Sequence, residues 1–585
     1  MDLARGLYSA TMMCRVEAGE RLPDYLMRNR LMSRLGISAE GFEDYIQPDE
    51  YERYLQLREI MDLVEHERID LASGCIKAML STCNKREKIE YQFLLDMQGR
   101  LVALKGGNVN EVIDIYNTAI QVTIPDYNYQ ELDHYLLAPE EYYLLIQRLE
   151  YVKFDNQWLE EIEAMIQTLS FREMQSVSKS KIFAKGAFLY GKMILKHKAS
   201  DKTYVQRALQ YVVRAVEMIR DSKRLYYAIE LLDLFDKLCE ELHEKYPDND
   251  TYDEYQHFKS ACIYMYGKYP IDVSIENDCY VYKAADVRCI GDVIASRRNM
   301  LGMTKRELAD DLCSVRTLIR IERKQGAVQQ DILNQILNRL YISPGYRRAE
   351  LLTSNVKLIK DYKRCRMLVN NGEKAELETL MAQIHEEIDY SVVQNRQVML
   401  RIRNKSLLDD NTITREEFVQ RLWKTLSLSG VNTKNAFKSK NYLTKVEKAC
   451  LYNLALKGSY KEEFINYYEE YINNNENMDD IPFIELVNTW MASEIGDQGN
   501  YGLSSAIAKK TILLLLKNRR GTEIAANAYG VCWNEAMSNS DNKNSIYEEE
   551  LYNIYWFSVF IRDKSRAHFL LAQMEKLKKG ADWTK

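Results

Sequence analysis

Apolar residues recur along most of this chain at steps of three and four, the period of a helix with one buried face. In the run VQRALQYVVRAVEMI, Ala208, Leu209, Tyr211, Ala215 and Val216 fall on one stripe. Upstream, KIEYQFLLDMQGRLVALKGGNVNEVIDIYNTAI predicts a helix, a turn over Lys105-Gly106-Gly107-Asn108, and a second helix that turns Val112, Ile113, Tyr116, Ala119 and Ile120 inward. KIFAKGAFLYGKMILKHK followed by TYVQRALQYVVRAVEMI repeats that order. With only 8 prolines and 24 glycines to interrupt it, the pattern predicts an all-α fold of stacked antiparallel helix pairs.

The pattern also repeats at long range. Residues 3–38 and 308–343 align without a gap, with about 11 identities that include Leu3/Leu308, Ala4/Ala309, Leu7/Leu312, Ser9/Ser314, Arg15/Arg320, Glu17/Glu322 and Ser38/Ser343. Further on, LAPEE (Leu137–Glu141) aligns with LTKVE (Leu443–Glu447), and the helices around Ala187–Phe235 align with those around Val487–Trp533. The expected organisation is a short helical unit over 1–40, repeats over 41–284, a second such unit over 285–345 and a second array over 346–585. The boundary falls near 270–288, at Pro270 and the polar stretch IENDCYVYKAADV.

Composition narrows the function. A formal charge of −6 excludes a polycation that coats nucleic acid, so any DNA contact must be local. The 11 cysteines form no C-x-x-C pair, which fits reduced thiols in a cytoplasmic protein, and the longest apolar run, at Ile512, is too short for a bilayer. The histidines, among them His243 and His385, complete no metal motif, and no phosphate loop or nucleophile elbow occurs, so no enzyme, cofactor or metal is expected. The 41 tyrosines suit helix seams.

The second short unit carries the chemistry. Ile290–Met300 forms helix one; Thr304, with Glu307 in a capping box, starts helix two from Lys305 to Asp311; Cys313 and Ser314 make a tight turn; and Ser314 caps helix three, Val315 to Lys324. Leu318, Ile321, Ile294, Leu308, Leu312 and Leu337 are the expected core. Arg297, Arg298, Lys305, Arg306, Arg316, Arg320, Arg323 and Lys324 give about +3 locally, a footprint for phosphate contact.

The order L-A-x-x-L-C-S-x-x-x-L-x-R-I-E, closing on L-x-I-S, resembles the Cro/repressor-like, xenobiotic-response-element (XRE) type of helix-turn-helix. The helix pairs resemble tetratricopeptide repeats, and the combination is similar to the RRNPP family of peptide-responsive bacterial transcription regulators. The resemblance implies a quorum-sensing regulator that reads double-stranded DNA, binds a short signalling peptide in its repeat groove, and works as a homodimer or, after duplication, an internal pseudo-dimer. Carried over by position, Ser314, Val315, Arg316 and Thr317, helped by Arg320 and Lys305, would face DNA, with Ser9, Ala10, Thr11, Met12 and Arg15 as their counterparts in the first copy. Arg316 suits a guanine edge. Glu322 would pair with Arg297 or Arg298. No residue is assigned to the peptide.

Two departures matter. Met1 aligns with Arg306, so the first copy has no counterpart of helix one; Glu17 is expected to lack its arginine, and Leu7 and Val16 to lose cover on one face. An upstream in-frame extension would restore that helix. In the second copy RKQGAV replaces the glycine-and-proline exit that the first retains through Gly19 and Pro23. The alternative reading is an interaction scaffold whose helix-turn-helix units survive only as packing modules; a repeat protein acting on a signalling phosphatase ranks below it.

Overall fold

The computed structural model describes residues 2–38, 43–244, 246–283, 286–325, 328–343, 350–353, 355–371, 374–474, 480–538 and 544–579. The chain is all-α as expected. In order, the helices are α1 (Ala10–Glu17), α2 (Tyr25–Arg34), α3 (Pro48–Glu65), α4 (Ile69–Thr82), α5 (Lys88–Leu104), α6 (Val109–Thr123), α7 (Pro139–Leu149), α8 (Asn156–Phe171) and α9 (Ser176–His197). They continue with α10 (Lys202–Ser222), α11 (Ala228–Leu242), α12 (Asn249–Lys268), α13 (Ile290–Met300), α14 (Lys305–Ala309), α15 (Val315–Glu322), α16 (Gln330–Arg339), α17 (Val356–Asn371) and α18 (Lys374–Glu387). The last are α19 (Val393–Asp409), α20 (Arg415–Ser427), α21 (Lys445–Lys457), α22 (Lys461–Asn474), α23 (Ile481–Asp497), α24 (Tyr501–Lys517), α25 (Ile524–Ser538), α26 (Asn544–Phe560) and α27 (Lys564–Lys578).

Two compact units result. The first comprises Met1–Ala39, Gln56–Lys283 and Pro482–Lys585; the second comprises Glu40–Leu55 and Ala284–Ile481. The expected 346–585 array is therefore divided between them at 481/482. Within the second unit, β1 (Asp44–Ile46) and β2 (Val287–Cys289) make a short parallel ladder, Asp44 opposite Val287.

The helices form where the apolar period predicts them. On α10 the buried stripe is Val205, Ala208, Leu209, Val212, Ala215, Val216 and Ile219. Tyr211, expected in that stripe, lies beside it, half-buried and edge-on to Tyr190 at 5.2 Å. Between α5 and α6, Gly106 takes φ +68°, a left-handed turn that only glycine adopts at little cost, and Asn108 caps α6 through the Asn110 amide at 2.9 Å. The cysteines are all free, seven of them buried.

Buried polar contacts recur at a spacing of about 305. In the first unit the Gln92 amide donates to Ala119 O and to Thr123 Oγ1, both at 2.8 Å; in the second, Gln397 donates to Thr425 O at 3.1 Å and Ser429 Oγ at 2.8 Å. Arg34 Nη1 donates to Leu3 O and Arg5 O, as Arg339 Nη1 does to Leu308 O and Asp310 O. Glu141 and Glu447, each wholly buried, cap the starts of α7 and α21 by accepting from Ala138 N and Thr444 N, at 2.8 Å each.

The guanidinium that neutralises each carboxylate comes from a different helix. Glu447 is held by Arg297 of α13, through Nη1 at 2.8 Å and Nη2 at 2.7 Å, and Arg297 also donates to Leu340 O, Tyr442 O and Ser429 O. In the first unit Arg34 of α2 takes the role, with Nε at 2.9 Å and Nη2 at 2.5 Å from Glu141 and Nη2 on Thr123 O at 3.3 Å. Arg30 adds a second cation 3.4 Å from Glu141. Burial alone would raise the Glu141 pKa, but Arg34 and Arg30 outweigh it and hold the carboxyl down at about 2.

Inside the first unit, two counterpart turns pair with each other. Leu225 N donates to Arg519 O and Gly521 N to Lys223 O, both at 2.9 Å, a reciprocal couple centred on an antiparallel bridge between Arg224 and Arg520. Lys223 and Tyr227 have φ of +52° and +54°; Arg519 and Glu523, about 296 residues on, have +51° and +54°. Helices α12 and α26, which follow the two turns at similar spacing, pack together through His257 on Trp556 and Phe258 on Phe560.

Replacing Arg297 by alanine leaves a buried carboxylate unpaired and should cost about 3–5 kcal/mol in denaturant unfolding, most of it recovered when Glu447 is also made Gln. Glu141 titrates far below the 4.5 of a free side chain, so its stabilising contribution is complete above about pH 4.5 and is lost as pH falls toward 2. The Glu141→Gln variant should therefore be the less stable protein at neutral pH, with the gap closing in acid; a gap independent of pH would contradict this assignment.

Candidate nucleic-acid interface

The candidate reader lies in the second unit, on α13 to α16. Its core is Ile290, Val293 and Ile294 from α13, Leu308 and Ala309 from α14, Leu318 and Ile321 from α15, and Leu333, Ile336 and Leu337 from α16, with Leu312 and Cys313 packed against it. The expected interior residues are all here, Leu312 at its edge. Gly291 lets α13 approach α15: a Cβ there would sit 2.4 Å from Ile321 O.

Caps fix the turn. Thr304 N donates to Glu307 Oε2 at 2.6 Å and Glu307 N donates back to Thr304 Oγ1 at 3.2 Å, the reciprocal box expected. Asp311 adopts φ +56°, and Ser314 Oγ accepts from Thr317 N at 3.0 Å to open α15. Helix α14 ends at Ala309 and α15 at Glu322, two residues earlier in each case than the apolar period suggested. The chain leaves α15 through Lys324 at φ +59°, and of RKQGAV, Gly326 and Ala327 lie outside the described residues.

The structure sorts the basic residues. Arg297 is spent on Glu447, so Glu322 falls to Arg298, whose Nε is 2.5 Å from Oε1 and whose Nη1 also bonds Met303 O at 2.8 Å. Lys305, half-buried, reaches the same Glu322 at 3.3 Å, and Lys324 pairs with Asp292 at 2.8 Å. Among the described residues Arg306, Arg316, Arg320 and Arg323 are exposed and form no ion pair. Arg316, Arg320 and Arg323 are spaced four and three apart, so they line one outward face of α15 behind its exposed start at Ser314 and Val315, with Thr317 half-buried beside them.

The first copy keeps the frame and loses the charge. Ser9 caps α1 through Met12 N at 3.2 Å, matching Ser314, yet α1 has no buried residue. Ser9, Ala10, Thr11 and Arg15 are exposed and Met12 half-buried; Thr11 stands where α15 has Arg316, Ala18 where it has Arg323, and only Arg15 persists opposite Arg320. Leu7 does not lose its cover: it is 4% exposed, packed with Met27, Leu31 and Ile89 of α5. Val16 is half-buried and Glu17 exposed.

Two features escaped sequence reasoning. Cys83, Glu87 and Glu90 bring ligand-type atoms within 4.8 Å of one another, and a cavity of about 750 Å³ opens among Leu35, Tyr129, Leu132, Gln167, Phe171 and Arg172. No periodicity announces either, because their residues come together only through packing. Among the described residues no helix is long and apolar enough to cross a membrane.

No family model matches the chain, and no curated protein does. Among solved structures it is similar to the apo form of the competence regulator ComR from Streptococcus vestibularis, at 16% identity and a TM-score of 0.29, over 50% of this chain and 98% of that one.

Removing the α15 cap with Ser314→Ala should cost about 1 kcal/mol, read as faster amide exchange at Thr317 and Leu318 with α13 unchanged.

Proposed function

We propose that this chain is a DNA-binding transcription regulator of the XRE helix-turn-helix class, built by tandem duplication of a reader followed by a repeat array, with the second reader active. The observation that carries it is the unpaired stripe Arg316, Arg320 and Arg323 on a capped, exposed helix, while Arg297, Arg298, Lys305 and Lys324 are each committed to a carboxylate. Such a stripe meets phosphates and a base edge. Ser314, Val315 and Thr317 supply the contacts at the helix start, and Lys305 contributes through its pairing with Glu322 more than as a free cation.

The repeated buried contacts support the duplication, and the reciprocal couple at 223–225 and 519–521 supports an internal pseudo-dimer in place of a homodimer. A short signalling peptide held by a tetratricopeptide-like array is the regulator this reading calls for, acting by shifting populations between reader arrangements. The process is a cytoplasmic, non-enzymatic one, in the manner of bacterial quorum sensing. A second reading is favoured for the first copy alone: with Ser9, Thr11 and Arg15 around a helix that buries nothing, and with Arg34 spent on Glu141, it serves as a packing module.

Selection of full-length protein against random duplex DNA tests this. A preferred site should emerge, and Arg316→Ala with Arg320→Ala should weaken binding to it at least tenfold at moderate salt and flatten the salt dependence, whereas Arg15→Ala changes it less than twofold. Failure to retain any duplex at low salt would refute the regulator and favour the scaffold.

A further inference from the structure

The stretch near 271–283 reads in sequence as a polar connection, yet in the first unit it is buried. It contains no helix, and Ile275, Asp278, Cys279, Tyr280 and Val281 are each 5% exposed or less. The residues that hold it belong to the leading helices of successive pairs: Phe93, Met97 and Arg100 on α5, Tyr143 on α7, Lys181 on α9, and Tyr226 just before α11. Helix α7 packs on α9 and α9 on α11, so these three leading helices form one layer, and the segment contacts it and α5.

The segment folds into two turns, with Asp278 N donating to Ser274 O at 3.1 Å and Tyr282 N to Cys279 O at 2.9 Å, and the layer holds both its main chain and its side chains. Main-chain groups are bound by long side chains: Lys181 Nζ donates to Tyr280 O at 3.0 Å, Arg100 Nη1 reaches Asn277 O at 3.5 Å, and Cys279 N donates to Glu65 Oε1 at 2.8 Å. Side chains fill sockets: Tyr280 packs edge-on to Tyr143 and against Tyr226, with ring centroids at 5.9 and 5.0 Å, and Tyr282 packs edge-on to Phe93 at 5.0 Å. Asp278, 1% exposed, is held by Arg519 and Lys283, at 2.7 Å each. Arg100 and Lys181 are themselves 6% and 5% exposed, so the layer presents built-in donors for a backbone. Bonds to main-chain groups give affinity that does not depend on side chains, and the aromatic sockets select the sequence.

We propose that the leading-helix layer of the first array is a peptide-binding surface and that residues 272–283 are its tethered ligand. The chain supplies in cis a segment of two turns with an acidic residue followed by aromatics at Tyr280 and Tyr282, and a free peptide of that chemistry is the competitor this array would accept. Tethering gives the segment an effective concentration of about millimolar, so a competitor gains access only when the tethered copy is weakened or the free one is abundant. The segment continues in sequence into Val287–Cys289 and α13, so its release lengthens the connection to the complete reader. The inference deepens the peptide-responsive part of the proposed function, and its test involves no DNA.

The probe is a fluorescein-labelled synthetic peptide of residues 272–283, titrated by anisotropy against full-length protein and against the full-length Tyr280→Ala, Tyr282→Ala variant. The variant should bind at least tenfold more tightly than the unaltered protein and gain thermal stability on binding. A variant of unchanged helical content that binds no peptide, or binds it no better than the unaltered protein, overturns the proposal. Amide exchange on the unaltered protein decides the matter if the variant does not fold: a ligand-like segment exchanges by local release, so Cys279 and Tyr282 should exchange at least tenfold faster than the interior amides of α5 and α9. Equal rates would make the segment ordinary core and overturn the proposal.

Discussion

A carboxylate with no exposure must be met by a guanidinium, and this chain sets that requirement twice, at Glu141 and at Glu447. Each caps the first turn of a helix while its two oxygens face inward, so an unanswered charge would open the unit from its centre. In the second unit the answer is Arg297, whose bonds reach Leu340 of α16's end, Tyr442, Ser429 and Glu447, and so pin the reader's first helix to three distant parts of the chain.

The first unit meets the same constraint from a different helix, α2. Arg34 bridges Glu141, Thr123 O and the carbonyls of Leu3 and Arg5, combining the work done in the second unit by Arg297 and by Arg339. Ile89 of α5 covers Leu7. The helix-turn-helix frame survives, but it is held by the array, and α1 carries neither buried anchors nor the basic stripe. The caps and main-chain contacts persist in both copies, while the stripe of three exposed arginines occurs on α15 and only Arg320 of it has a counterpart on α1, Arg15.

Much of this was legible in the sequence. The 3.6-residue period and the caps at Ser9, Thr304 and Ser314 located the elements, since these signals are local. The aligned LAPEE and LTKVE pointed to equivalent helix starts, although nothing in them said that Glu141 and Glu447 are buried or that their partners differ. Arg298 and Arg297 are adjacent and chemically alike; which one serves Glu322 depends on rotation about α13, which only packing fixes. The illegible part was the segment near 271–283. Its Asn, Asp and Lys residues give it the composition of a solvated connection, and its burial rests on groups as far away in sequence as Arg100 and Arg519. Composition counts polar groups but does not say whether each has a partner.

Arg519 joins the two features that sequence did not reveal. Its carbonyl accepts from Leu225 in the reciprocal couple, while its side chain donates to Asp278 and to Val273 O of the tethered segment. With 4% of its surface exposed, Arg519 is poorly hydrated when unpaired, so withdrawing Asp278 charges the turn that forms the couple. Lys283 ties the same carboxylate to Glu65 on α3, spreading the cost to the opposite end of the array. The segment and the reciprocal couple thus share one ion cluster, Arg519, Asp278, Lys283 and Glu65.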